Sequence, residues 1–144
     1  MPAVNAFDCF SEDLATGVHD FSTHVIKMAL SNTAPDPAAH TVLADITQIA
    51  AGGGYVAGGY TLDGVTVTRT GEDTVITATD EVIAAVGAAI ATHQYLVFYN
   101  DTGVGDPLIG YIDRGSAIDI ADGNQNTVDL STNGFASVGP GTIT

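Results

Sequence analysis

The chain has 144 residues, 45% of them hydrophobic, and a formal net charge of -14 set by three basic residues against seventeen acidic ones. That length fits one domain with a single core, and the apolar content excludes an acidic disordered tail, which lacks the burial needed to offset chain entropy. Lys27, Arg69 and Arg114 are the whole basic complement, so a nucleic-acid partner and an anionic membrane surface are both excluded as expectations.

In chain order, residues 1–14 read as an extended N-terminal arm, residues 15–138 as a β domain and residues 139–144 as a C-terminal tail. The start, Met1-Pro2-Ala3-Val4-Asn5-Ala6-Phe7-Asp8, lacks the basic end and apolar run of a secretory signal, so synthesis in the cytoplasm is expected. His24 to Leu30 alternates, with Ile26, Met28 and Leu30 on one face and Val25, Lys27 and Ala29 on the other, which predicts a strand. Asn32 to Pro37 is a turn-rich break, and Thr41 to Ala51 holds either one helical turn or an irregular strand. Val65 to Thr70 alternates again, then Gly71-Glu72-Asp73 turns the chain into Thr74 to Ala78. Thr79-Asp80-Glu81 is placed to cap a short helix in the alanine-rich run that follows, although Gly87 opposes it.

Tyr95 to Tyr99 is continuously apolar and aromatic, the signature of a strand buried on both faces. Further strands are predicted at Leu108 to Ile112 and Ala117 to Ile120. Asp122-Gly123-Asn124 reads as a tight hairpin into Thr127 to Leu130, and Thr132-Asn133-Gly134 as a turn toward Phe135. The expected fold is all-β: a single-domain β-sandwich or small barrel of about seven to eight short antiparallel strands. The lopsided acidity agrees with it. Fourteen aspartates and three glutamates favour turns over helices.

No motif assembles a reaction, so no catalytic residue and no enzyme activity are expected. Gly52-Gly53-Gly54-Tyr55-Val56-Ala57 formally fits a dinucleotide fingerprint, but Gly58-Gly59 follows at once and breaks the helix that the fingerprint needs. It reads as a loop whose backbone passes close to a neighbour. No cofactor and no metal are expected. His19, His24, His40 and His93 lack metal-binding spacing, and His19 and His24 are five apart, sharing a side only if the chain bends between them. Cys9 is the only cysteine and reads as a small packed thiol. Asp119, Asp122 and Asn124, and Asn100, Asp101 and Asp106, cluster at two turns without an EF-hand pattern, and read as solvated turns ahead of cation ligands.

Several strings, in order, resemble a family of small tailed-bacteriophage virion proteins: Gly17-Val18-His19-Asp20-Phe21; Ile26 to Pro35; Thr41 to Ile46; and Gly53-Gly54-Tyr55-Val56-Ala57-Gly58-Gly59. Val97 to Thr102, Asp106 to Tyr111 and Asp122-Gly123 through Phe135 continue the resemblance, which spans residues 7 to 138 and departs from the pattern at Ala84 to Ala91. It implies a structural virion protein of the capsid decoration or cement kind, bound outside the major capsid lattice, with the major capsid protein and further copies of itself, a homotrimer, as partners. It carries no catalytic motif. The acidity suits the capsid exterior, because a -14 subunit facing packaged DNA would be repelled. Phe7, Phe10 and Leu14 are the apolar anchors expected to contact a neighbouring subunit or the capsid. The alternatives are a tail, head-tail connector or fibre protein, and a carbohydrate- or host-binding β module using Tyr55, Tyr60 and Tyr111.

Overall fold

A computed structural model describes residues 4–132 and 134–139. The expected tail beyond Gly139, the first three residues of the expected arm and Asn133 of the expected turn lie outside them. The described chain is mostly β, with ten strands in three antiparallel sheets and one short α-helix.

The largest sheet is built around the apolar run seen in the sequence. β7 (Ile90–Asn100) sits at its centre, with β2 (Ile26–Ser31) on one side and β8 (Leu108–Ile120) on the other. β1 (Val4–Ala6) lies outside β8 and β3 (Tyr60–Thr61) outside β2, giving the order β1-β8-β7-β2-β3. Alternation then sorts the side chains of β7. Leu96 and Phe98 enter the main core with Ile26, Met28 and Leu30 of β2. Val97 and Tyr99 enter a second, smaller core on the opposite face with Ala29, Leu108 and Phe7. Both faces are dry, as the unbroken apolar sequence requires.

The main core is closed by two small sheets. β4 (Thr66–Thr70) and β5 (Asp73–Thr77) form the expected hairpin around Gly71-Glu72, and β10 (Ala136–Val138) pairs with the far side of β5. β6 (Glu81–Ala84) pairs with β9 (Gln125–Val128). Ile76, Ile83, Val128, Leu130 and Phe135 bring these sheets onto the same core as Leu96 and Phe98. β4 is exposed throughout despite its valine–threonine alternation. It is an edge strand, and Arg69 in it is the kind of charge that discourages further pairing.

Three sequence expectations are corrected. Residues 4–15 are not an extended arm. Val4–Ala6 pairs with Ile112–Gly110 of β8, and α1 (Cys9–Ala15) follows at once. Phe7 is 1% exposed and Phe10 5%, because both faces of the central sheet need apolar cover and this segment supplies part of it. Second, the turn at Asp122 to Asn124 does not close a hairpin between its flanking strands, since β9 pairs with β6 instead. Third, the two expected strands between 108 and 120 are one. Arg114 to Ala117 bulge out opposite Gln94, between the pairs Tyr95↔Asp113 and His93↔Ile118. The Thr41–Ala51 stretch, open between a helical turn and a strand, contains a single 3-10 turn at Leu43–Asp45, and the alanine-rich run forms no helix: β6 ends there and an exposed loop leads into β7.

The glycine run is a close-packing device. A Cβ at Gly53 would sit 2.7 Å from the Ala88 carbonyl oxygen, and one at Gly59 would run into the Met28 backbone. Gly59→Ala should therefore destabilise the protein by clearly more than Gly87→Ala. Gly87 shares the positive φ but has open space around it, so its cost should be near the ~1–2 kcal/mol of a left-handed residue. Urea denaturation of the two variants measures the difference, and equal losses would mean the loop does not need its close approach.

Candidate interaction surface

The three residues expected to grip a partner are used internally. Phe7 packs its ring on Tyr111 at 5.4 Å between centroids, on the second face of the central sheet. Phe10 lies against His19 and Phe21 in the main core, and Leu14 packs half-buried on the same cluster. Phe7 and Phe10 present no free apolar surface, while Leu14 stays partly exposed.

Exposed apolar groups occur elsewhere. Val104 is 99% exposed, Val86 74% and Val56 61%. Val86 and Val56 belong to adjoining loops, because the Val86 N–H donates to the Gly53 carbonyl and Gly53 is pressed against Ala88 and Ala89. Ala51, Gly52, Gly54, Ala57, Gly87, Ala88 and Ala89 are exposed with them. The result is a surface of small uncharged residues with Asp122, which accepts from the Gly87 N–H at 2.9 Å, at its border. Its underside is fixed. Gln48 Oε1 accepts from the Tyr55 hydroxyl at 2.7 Å and from the Gly58 N–H at 2.8 Å, while the Tyr55 hydroxyl accepts from the Leu30 N–H. The Tyr99 hydroxyl donates to the Gly58 carbonyl. Two buried tyrosines thus tie the exposed loop to β2 and β7.

The aspartates are spent locally. Asp20, Asp36, Asp45, Asp80, Asp113, Asp122 and Asp129 each accept from backbone N–H groups of nearby turns or neighbouring loops. Hydrogen bonds from Ser22 and Thr23 hold the Asp20 carboxyl below its ordinary range; those from Thr41 and Val42 do the same at Asp45. Among the described residues, no group of three or more His, Cys, Asp or Glu side chains is arranged to hold a metal ion.

Asn100, counted with the acidic turn in the sequence, is wholly buried and knits the turn to the N-terminal segment. Its Oδ1 accepts from the Thr102 and Gly103 N–H groups, and its Nδ2 lies 3.1 Å from His19 Nδ1 and 2.9 Å from His24 Nδ1. The chain does bend between the two histidines. His24 N–H donates to the Asp20 carbonyl while Asp20 N–H donates back to His24 Nδ1. Asp36 and His40 make the same reciprocal pair. The repeated Asp-x-x-x-His spacing was present in the sequence as a signal for these turns.

The remaining candidates are quiet. Burial, then the charge of Asp13, pushes the Cys9 thiol up, away from the thiolate that a nucleophile needs. Tyr55 is buried, while Tyr60 and Tyr111 are half-buried, so none of the three offers an exposed ring. Of the cations, Lys27 lies 3.8 Å from Asp101, at a partly exposed site where such a pair is worth about 0–1 kcal/mol. No known protein family, curated protein or solved structure matches the chain.

Two predictions follow from this geometry. Phe7→Ala should cost ~3–5 kcal/mol in chemical denaturation, the usual range for a buried phenylalanine; a loss below ~1 kcal/mol would show that residues 4–15 are held loosely. The second concerns pH. Burial lowers the pKa of both His19 and His93, so the unfolded state takes up protons that the folded state resists. Stability should be complete above the ordinary histidine value and fall as pH drops below about 6.5, by at most about 1.4 kcal/mol per pH unit for each group. Denaturation curves at pH 7.5 and 5.5 test the sign. His19→Phe, which keeps the aromatic packing, should reduce the dependence.

Proposed function

We propose that this chain is a structural protein of a tailed-phage virion, binding the outer surface of the major capsid lattice and reinforcing it. The observation that carries this reading is an uncharged, rigidly backed loop pair on a subunit of net charge -14. Strongly acidic copies repel one another and any acidic lattice, so contact favours a surface from which charge has been left out. Residues 51–57 and 84–89 provide one, with Val56 and Val86 as its most exposed apolar groups. The ordered resemblance of residues 7 to 138 to small virion proteins supports the same class. The charge favours the outside of the shell, away from the packaged genome.

The partners on this reading are the major capsid protein and other copies of the chain, as a homotrimer. Closed symmetry is the common solution for identical subunits. Synthesis would take place in the host cytoplasm before assembly on the capsid exterior. A tail, connector or fibre role is the competing assignment, and stoichiometry separates them: a lattice protein is present in hundreds of copies per particle, a connector or tail-tip protein in a few dozen at most.

Quantifying the chain in purified particles, and repeating the binding with Val86→Asp, tests the proposal. The expected result is lattice-scale copy number and a loss of capsid binding of at least tenfold, about 1.4 kcal/mol, with unchanged folding. A few copies per particle would overturn the decoration role. Unimpaired binding by Val86→Asp would remove this loop pair as the contact.

A further inference from the structure

Two of the three cations have plain local uses. Lys27 faces Asp101, and Arg69 Nε donates to the Gly71 carbonyl at the exposed end of its hairpin. Arg114 differs. It opens the bulge of β8, and its guanidinium turns inward toward β9, where Nη1 donates to Asn126 Oδ1 at 3.0 Å. Nε and Nη2 are buried and have no hydrogen-bond partner among the described residues. Burial lowers the pKa of the guanidinium, and among the described residues no carboxylate charge holds it up.

Which nitrogens are unmet matters. Nε and Nη2 share one edge of the planar group, and their N–H bonds run side by side. That edge matches the two oxygens of a carboxylate or phosphate. Asn126 fixes the plane through Nη1 and leaves this edge over. Close by, His93 is wholly buried, its Nδ1 donates to the Ala91 carbonyl at 2.9 Å, and the guanidinium charge lowers its pKa further. A buried charge with unmet donors is costly unless complemented, and nothing else among the described residues complements it.

We infer that the Nε–Nη2 edge of Arg114, held by Asn126 beneath the 114–117 bulge of β8, is a binding site for one small free oxyanion, a phosphate or a carboxylate. Nε and Nη2 are shut off from solvent, and that enclosure selects a small ion over a protein-borne group. The exposed Gly115, Ser116 and Ala117 lie opposite Gln94 alone in the ladder, so lifting the bulge to admit the ion would break little pairing. The net charge of -14 makes the rest of the surface a poor host for anions, while screening over about 8 Å at physiological salt leaves the local guanidinium field dominant. This inference does not depend on a virion role.

Arg69 and Arg114 are the only arginines, so the full-length protein labelled with nitrogen-15 gives two Nε–H resonances. We would titrate it with sodium phosphate, and separately with sodium acetate, against chloride at matched ionic strength. The expected result is a saturable shift of the Arg114 signal with phosphate, acetate or both, no matching shift at Arg69, and a parallel rise in Tm. Arg114→Lys keeps the charge but loses the paired edge, and should abolish the rise. An Arg114 signal unmoved by either anion would overturn the site and mean that the edge is satisfied by enclosed water. A rise in Tm that persists in Arg114→Lys would overturn it too, as a general salt effect. Should Arg114→Lys fail to fold, the resonances of the natural protein decide alone.

Discussion

The structure depends on one strand being dry on both faces. β7 places Leu96 and Phe98 in the main core and Val97 and Tyr99 in the second. Each face must then be covered by chain from elsewhere. β5, β6, β9 and β10 come over the first face through residues such as Ile76, Ile83 and Val128. The N-terminal segment, through Phe7, and Ile46 cover the second. The same strand anchors loops that lie further out. Tyr99 reaches the glycine loop, and Asn100 gathers His19, His24 and the following turn. A rigid surface on this molecule is rigid because it is tied, within a few bonds, to β7.

The acidity is tolerated because it is made of short side chains. An aspartate carboxylate can reach the N–H groups of its own turn, and many here do so. Glutamate would reach past them, which accounts for the imbalance of fourteen to three. None of the acidic residues is buried. The protein thus carries a strong outward negative field without breaking its interior, and the field is interrupted where the glycine and alanine loops meet.

Local signals were legible in the sequence and long-range ones were not. The alternation of β2, the continuous run of β7 and the Gly71-Glu72 hairpin depend on periods and turn chemistry confined to a few residues. The glycine run was also legible as a close backbone approach. Helix α1 was hidden by its length, yet Phe10 and Leu14 stand at i and i+4, the spacing of a helical face, while Phe7 precedes the helix and packs on the other face of the central sheet. Reading Phe10 and Leu14 as partner anchors overlooked that spacing. The pairing of β6 with β9 joins segments some forty residues apart, and no local pattern announces it. The β8 bulge looked like a break between strands because Arg114-Gly115-Ser116 is polar and flexible in composition. The orphaned edge of Arg114 is a property of three-dimensional placement alone.

The central claim is that residues 4–15 and β7 form one cooperative unit. Native-state hydrogen exchange tests this most directly. The Phe7 amide, which donates to the Ile109 carbonyl at 3.2 Å, should exchange only with the global opening that also exposes the amides of β7. Exchange of Phe7 at a free energy well below that of β7 would contradict the account, because residues 4–15 would then detach while the rest of the domain stays folded.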